Sequence, residues 1–177
     1  HQLKFTFDKV GNPQDLVSGA NDSRDLAVAF DYVAFLDKTQ NVIIKIDVGT
    51  DEARQFLQAG WFLNQENWGE AANYVWAGGS EKTATMNVQQ PSGGEYLQIK
   101  IRPFMADNPM HVFFDGNLID TITPTVGWNE YIFPIPSTHS PEVFPLLALL
   151  IAVAILIVAA VAVLVIRKRR GKTSSHN

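Results

Sequence analysis

The chain has 177 residues, 14 Lys+Arg against 18 Asp+Glu, and no cysteine. Its acidic balance excludes a basic nucleic-acid binder, and the missing thiols exclude a disulfide framework and a Cys nucleophile. Charge is also unevenly spread. Five of the basic residues fall within Arg167–Lys172, which leaves nine against all 18 acids and gives residues 1–143 a formal charge of −9.

The chain opens on His1 rather than Met. A removed signal peptide accounts for this, as does a trimmed tag or a start within a longer chain. Leu3, Phe5 and Phe7 then alternate with Lys4 and Thr6, the period of a half-buried strand. Asn21-Asp22-Ser23 is a glycosylation sequon. Leu26–Leu36 and Val42–Val48 are more continuously apolar and β-branched, as expected of central strands. Asp51–Gln58 is the one short stretch with helical character. Trp61–Trp68 reads as a loop.

Alternation returns at Ala84, Met86 and Val88, at Leu97, Ile99 and Ile101, and at Tyr131, Phe133 and Ile135. Gly78-Gly79 and Pro91-Ser92-Gly93-Gly94 break the strands apart, and Asp115-Gly116 is a hairpin turn between His111–Phe114 and Leu118–Ile122. Short strands at roughly 8–12-residue spacing predict an antiparallel β-sandwich of jelly-roll type over residues 1–136.

Ser137–Val143 reads as a polar juxtamembrane linker. Leu146–Ile166 is then a run of 21 residues, all Leu, Ile, Val or Ala. As a helix at about 1.5 Å per residue it is roughly 31 Å long, the thickness of a hydrocarbon core. A transmembrane helix is predicted over 144–166, with Pro145 in its first turn. Arg167, Lys168, Arg169 and Arg170 head a basic tail, 167–177, that stays cytoplasmic and meets anionic headgroups. The expected location is the plasma membrane, crossed once, with 1–136 outside the cytoplasm. Small side chains in the run, among them Ala148 and Ala152, allow packing on partner helices, as in an accessory subunit of a membrane complex; an ordinary anchor explains them equally.

A family resemblance rests on a series of short motifs. Ile46-Asp47-Val48-Gly49-Thr50 is followed by Gly60-Trp61, Glu66 and Tyr74-Val75-Trp76. Then come Leu97-Gln98-Ile99-Lys100-Ile101-Arg102-Pro103, Val112-Phe113-Phe114-Asp115-Gly116-Asn117 and Gly127-Trp128-Asn129-Glu130-Tyr131. Their order resembles the galactose-binding-like jelly-roll domains appended to membrane glycosyltransferases and envelope proteins, over about residues 24–136. The resemblance implies a carbohydrate-related setting. The chain has one span and no catalytic membrane domain, so it is similar to the accessory module without the transferase.

Sugar rings present flat C–H faces, which aromatic planes flanked by amides and carboxylates can hold. Trp61, Asn64, Glu66, Asn67 and Trp68 have that composition and form the candidate glycan site. The alternative is that the tryptophans plug the sandwich and the amides satisfy turns. Trp76 and Trp128 read as core residues. A free N-terminal His1 chelates copper through its amine and ring, with His111 as the second candidate ligand for oxidative chemistry. Asp8, Asp15, Asp22, Asp25, Asp47, Asp51 and Glu52 are candidates for a structural calcium, although no EF-hand spacing is present. No nucleophile elbow, phosphate-cradling glycine loop or His-Glu-x-x-His occurs, so the predicted role is binding, of a glycan or a neighbouring envelope protein, rather than catalysis.

Overall fold

The computed structural model describes residues 1–68 and 71–136, with the side chains of 64–68 and 71–72 left aside. The predicted linker, span and basic tail lie outside the described residues. Among those described, no helix is long and apolar enough to cross a membrane.

Among the described residues, ten strands build two antiparallel sheets. They are β1 (Gln2–Phe7), β2 (Leu26–Leu36), β3 (Val42–Asp47), β4 (Trp61–Trp68), β5 (Ala71–Gly78), β6 (Thr83–Asn87), β7 (Tyr96–Pro103), β8 (Met110–Phe114), β9 (Asn117–Ile122) and β10 (Asn129–Pro134). One sheet runs β6-β1-β8-β9; the other runs β10-β7-β2-β5-β4, with β3 also on β2. The chain changes sheet after β1, β5, β6, β7 and β9. This is an all-β sandwich compatible with a jelly roll. His1–Pro136 forms one unit with its own core.

The alternating segments become strands with one face inside. In β7, Leu97, Ile99 and Ile101 are buried while Gln98, Lys100 and Arg102 are half-exposed. In β1, Leu3, Phe5 and Phe7 are buried. These side chains meet Val28, Phe30, Val33 and Phe35 of β2 in the core between the sheets. Asp115 (φ 48°) and Gly116 (φ 79°) both take the left-handed conformation that a two-residue hairpin needs. Gly60 has φ 81°, and a Cβ there would lie 1.8 Å from the Thr83 carbonyl oxygen, so no other residue fits.

Three expectations need correction. Val42–Asp47 is not a central strand. Among the described residues it pairs only with β2, and Val42, Ile43 and Ile44 remain 55 %, 39 % and 41 % exposed. Trp61–Trp68 is a strand rather than a loop, paired with β5 through two irregularities in register. Helix appears at Pro13–Leu16 (α1), capped by the Asn12 side chain, where none was predicted. Asp51–Gln58 contributes one 3₁₀ turn, Glu52–Gln55.

Candidate functional site

β2 is buried on both faces along its whole length. Its pairing with β7 slips between Phe30 and Tyr32. Phe30 packs between the sheets, Tyr32 joins a different cluster, and the bulged residue between them is Asp31. Such a bulge re-aims side chains that strict alternation would place elsewhere. From it onward Tyr32, Ala34 and Leu36 line the outer face of the six-stranded sheet.

That outer face carries a connected polar group. The Lys100 ammonium lies 3.1 Å from an Asp31 carboxylate oxygen, with the two side chains 21 % and 12 % exposed. Tyr32 Oη donates to Glu130 Oε1 at 2.7 Å, and Gln98 Nε2 donates to Glu130 Oε2 at 3.0 Å. Lys45 Nζ sits 4.1 Å from the centroid of the Tyr32 ring. Asp47, opposite Tyr32 in register, accepts from the Gly49 amide at 3.2 Å. Burial raises the Asp47 pKa above the ordinary carboxylate value, and the nearby Asp31 charge adds to the shift. Burial raises the Tyr32 hydroxyl as well, followed by its bond to Glu130. Small Ala34 lies between Gln98 and Lys45 in the ladder, which leaves a low floor between polar walls.

Beside this group lies an aromatic patch. Tyr74, Trp76, Leu26 and Ala29 form a buried cluster against which Phe62, Phe104 and Trp128 pack, half-buried. Tyr74 meets Trp128 at 5.4 Å between ring centroids, and Trp76 meets Phe104 at 5.7 Å. Tyr96 closes the other end, against Leu36. Fixed carboxylates, an ammonium, an amide and partly open rings therefore share one sheet face. The chemistry they offer is hydrogen bonding to hydroxyls and contact with apolar ring faces.

The residues predicted for a glycan site lie on β4. Trp61 packs edge-on against Phe30 at 5.1 Å and Phe5 at 6.3 Å, and its Nε1 donates to the Thr85 carbonyl at 2.7 Å. Its half-buried ring packs against the core between the sheets. Glu66 stands opposite Tyr74 in register and Trp68 opposite Ala71. The side chains of Asn64, Glu66, Asn67 and Trp68 lie outside those described. Trp76 is buried, yet in the outer cluster rather than between the sheets.

His1 and His111 do not converge. His111 pairs with Thr6 across β1, whereas His1 precedes β1, so about five strand residues and roughly 16 Å separate them along the sheet. His1 Nδ1 lies 2.6 Å from Asp115 and its ring stacks on Phe114 at 5.0 Å. His111 bridges Asp8 at 3.1 Å and Thr121 at 2.9 Å. Among the proposed calcium ligands, Asp22 is held by Arg24, which lowers its pKa, and Asp51 pairs with Arg54. Among the described residues no group of three or more His, Cys, Asp or Glu is placed to hold a metal ion. Asn21 of the sequon is exposed between α1 and β2.

Sequence reading passed over Asp31, Tyr32, Lys100 and Glu130 as site residues. One signal was available: Asp31 is the sole charge inside the apolar run 26–36. No protein-family model matches this chain, and no curated protein and no solved structure matches it either.

Proposed function

We propose that this protein is a membrane-anchored, extracytoplasmic binding module that takes a glycan on the outer face of its six-stranded sheet. The supporting observation is the union on that face of Asp31, Gln98, Lys100 and Glu130 with the half-buried rings of Tyr96 and Trp128. Sugars need both kinds of contact, polar groups for hydroxyls and flat apolar surface for C–H faces. The polar side chains already hold one another, so little rotamer freedom is lost on binding. The anchor is the apolar run Leu146–Ile166, held by the basic residues that follow it.

The test is calorimetric titration of the full chain, in a detergent without a sugar headgroup, with a panel of neutral oligosaccharides. At least one should bind, and Gln98→Ala or Glu130→Ala should weaken it about tenfold, the worth of one charge-assisted hydrogen bond. Absence of binding across the panel, or affinity unchanged in both variants, overturns the glycan reading. The anchor has its own test. Protease added to intact cells should remove residues 1–136, and alkaline carbonate should leave the chain in the membrane; the opposite results overturn it.

A further inference from the structure

The sequon Asn21-Asp22-Ser23 stands alone in this chain: no other asparagine has Ser or Thr two residues on. Nothing in the proposed binding face uses it. In the fold it lies between α1 and β2, in a segment that is neither helix nor strand.

This segment is held in place, but not by the two groups that a modification would need. The Asp22 carbonyl accepts from the Gln14 amide at 3.0 Å, and the Ser23 carbonyl accepts from Asn12 Nδ2 at 2.8 Å. Arg24 grips the Asp22 carboxylate, with Nη2 at 2.6 Å and Nε at 2.9 Å. The middle residue of the tripeptide is therefore fixed. Its two neighbours, Asn21 and Ser23, are exposed. Among the described residues the Asn21 carboxamide and the Ser23 hydroxyl make no hydrogen bond, whereas Asn12, Asn108 and Asn129 all commit their side-chain amides to backbone carbonyls. A bulky group on Asn21 Nδ2 would meet water rather than packed side chains.

Its place along the sheet is open as well. β2 starts at Leu26 and ends at Leu36, which pairs with Tyr96, itself opposite Pro134. The 11 residues of β2, roughly 35 Å, separate the sequon's end of the sandwich from the end where the chain leaves it after Pro136.

We infer that Asn21 is an N-glycosylation site, filled by an oligosaccharide from a polyprenyl-phosphate-linked donor. In the transfer Asn21 Nδ2 bonds to the anomeric carbon of the first sugar. The bond from that carbon to the phosphate oxygen breaks, the lipid phosphate leaves with the electron pair, and one Nδ2 proton passes to a base. Ser23 supplies the hydroxyl that the transferase reads two residues on. The inference rests on the extracytoplasmic placement of residues 1–136, where such transfer occurs. The attached sugar puts a solvated group on the stretch that also exposes Leu16 and Val17, by 59 % and 53 %.

The test is mass spectrometry of the full chain purified from its native membrane. The peptide containing Asn21 should carry a ladder of sugar masses, and a peptide N-glycanase should release them and convert that asparagine to aspartate. Asn21→Gln and Ser23→Ala should each remove the modification completely. Ser23→Thr keeps the hydroxyl and should retain it. All three changes fall at exposed positions and leave the core untouched. An unmodified Asn21 in the parent chain, or sugar that persists at Asn21 in Ser23→Ala, overturns the inference. Protease added to intact cells tells which reading has failed. If residues 1–136 are removed and Asn21 is bare, this inference alone falls; if they are protected and Asn21 is bare, the extracytoplasmic placement falls with it. None of these readouts depends on what the outer sheet face binds.

Discussion

The two faces of the six-stranded sheet are built from the same strands yet obey different rules. The inner face is sealed by the four-stranded sheet, and Phe30, Val33, Phe35, Leu97, Ile99 and Ile101 there are fully buried. What matters on that side is volume, because close-packed interiors register the loss of even one methylene. The outer face has no covering sheet. Its buried residues form two small clusters separated by the Asp31–Lys100 pair and its neighbours. Polar groups removed from water must find partners, so on that side pairing matters more than volume. The contrast locates volume-dependent packing on one side of the sheet and paired polar groups on the other.

Variants on the two faces should separate accordingly. Phe30→Ala removes a ring that contacts both Phe5 at 4.8 Å and Trp61 at 5.1 Å. It should lower stability by about 3–5 kcal/mol, read from the urea midpoint at unchanged slope. A loss below about 1 kcal/mol would mean that the inner face does not depend on volume.

Lys100→Met leaves the Asp31 carboxylate without its ion partner on the outer face. Both side chains keep some solvent, so the expected cost is about 2 kcal/mol, below that of breaking a fully buried pair. Adding Asp31→Asn should recover most of it, and a double-mutant cycle measures the recovery. If the double variant is no better than the single, pairing does not govern this face.

Tyr32→Phe removes the hydrogen bond to Glu130 and keeps the ring beneath Lys45. About 1 kcal/mol should be lost, and Glu130, already exposed, should keep its bond from Gln98.

The smallest effect is one of pH. The Asp47 pKa is raised by burial, so folding favours its protonated form. Its contribution is therefore greatest at acid pH and is lost as pH rises through the folded value. Asp37 has the opposite sign. The Thr39 hydroxyl, the Asn41 amide and other local donors bond its carboxylate and lower its pKa to about 2, so its contribution is present above the ordinary carboxylate range and lost as pH falls toward 2. Asp47→Asn should raise stability slightly at pH 7 and flatten the profile just above the ordinary carboxylate range, while leaving the acid limb set by Asp37 unchanged. Unfolding midpoints measured across that range decide the matter.

Much of the fold was legible residue by residue. Period-two alternation marked β1, β6, β7 and β10 because each shows one face to the core and one outward. Asp115-Gly116 marked its hairpin because few other pairs tolerate two left-handed residues. β3 misled because an apolar β-branched run is the same string whether it is central or at an edge; Val42–Ile44 would be ordinary core residues if another strand lay beside them. β4 misled because its polar composition is that of a loop, although its ladder with β5 forms regardless. The glycan-site residues were chosen for aromatic and amide composition. Trp61 satisfies the same criterion while its half-buried ring packs against the core, its one polar atom bonded to Thr85.

The amino-acid order alone determined an all-β unit, its acidic surface, most strand positions and the apolar run at 146–166. These follow from local periodicity, turn chemistry and length, which need no knowledge of what lies across the sheet. Tertiary structure decided the rest. The slip beside Asp31 is a matter of register between β2 and β7, and it selects which side chains of the central strand join the outer face. Asp31, Lys100 and Glu130 come from three strands and become neighbours only when β2, β7 and β10 align. Register between distant strands is set by the packing of the whole sandwich, so no local pattern in the chain encodes it.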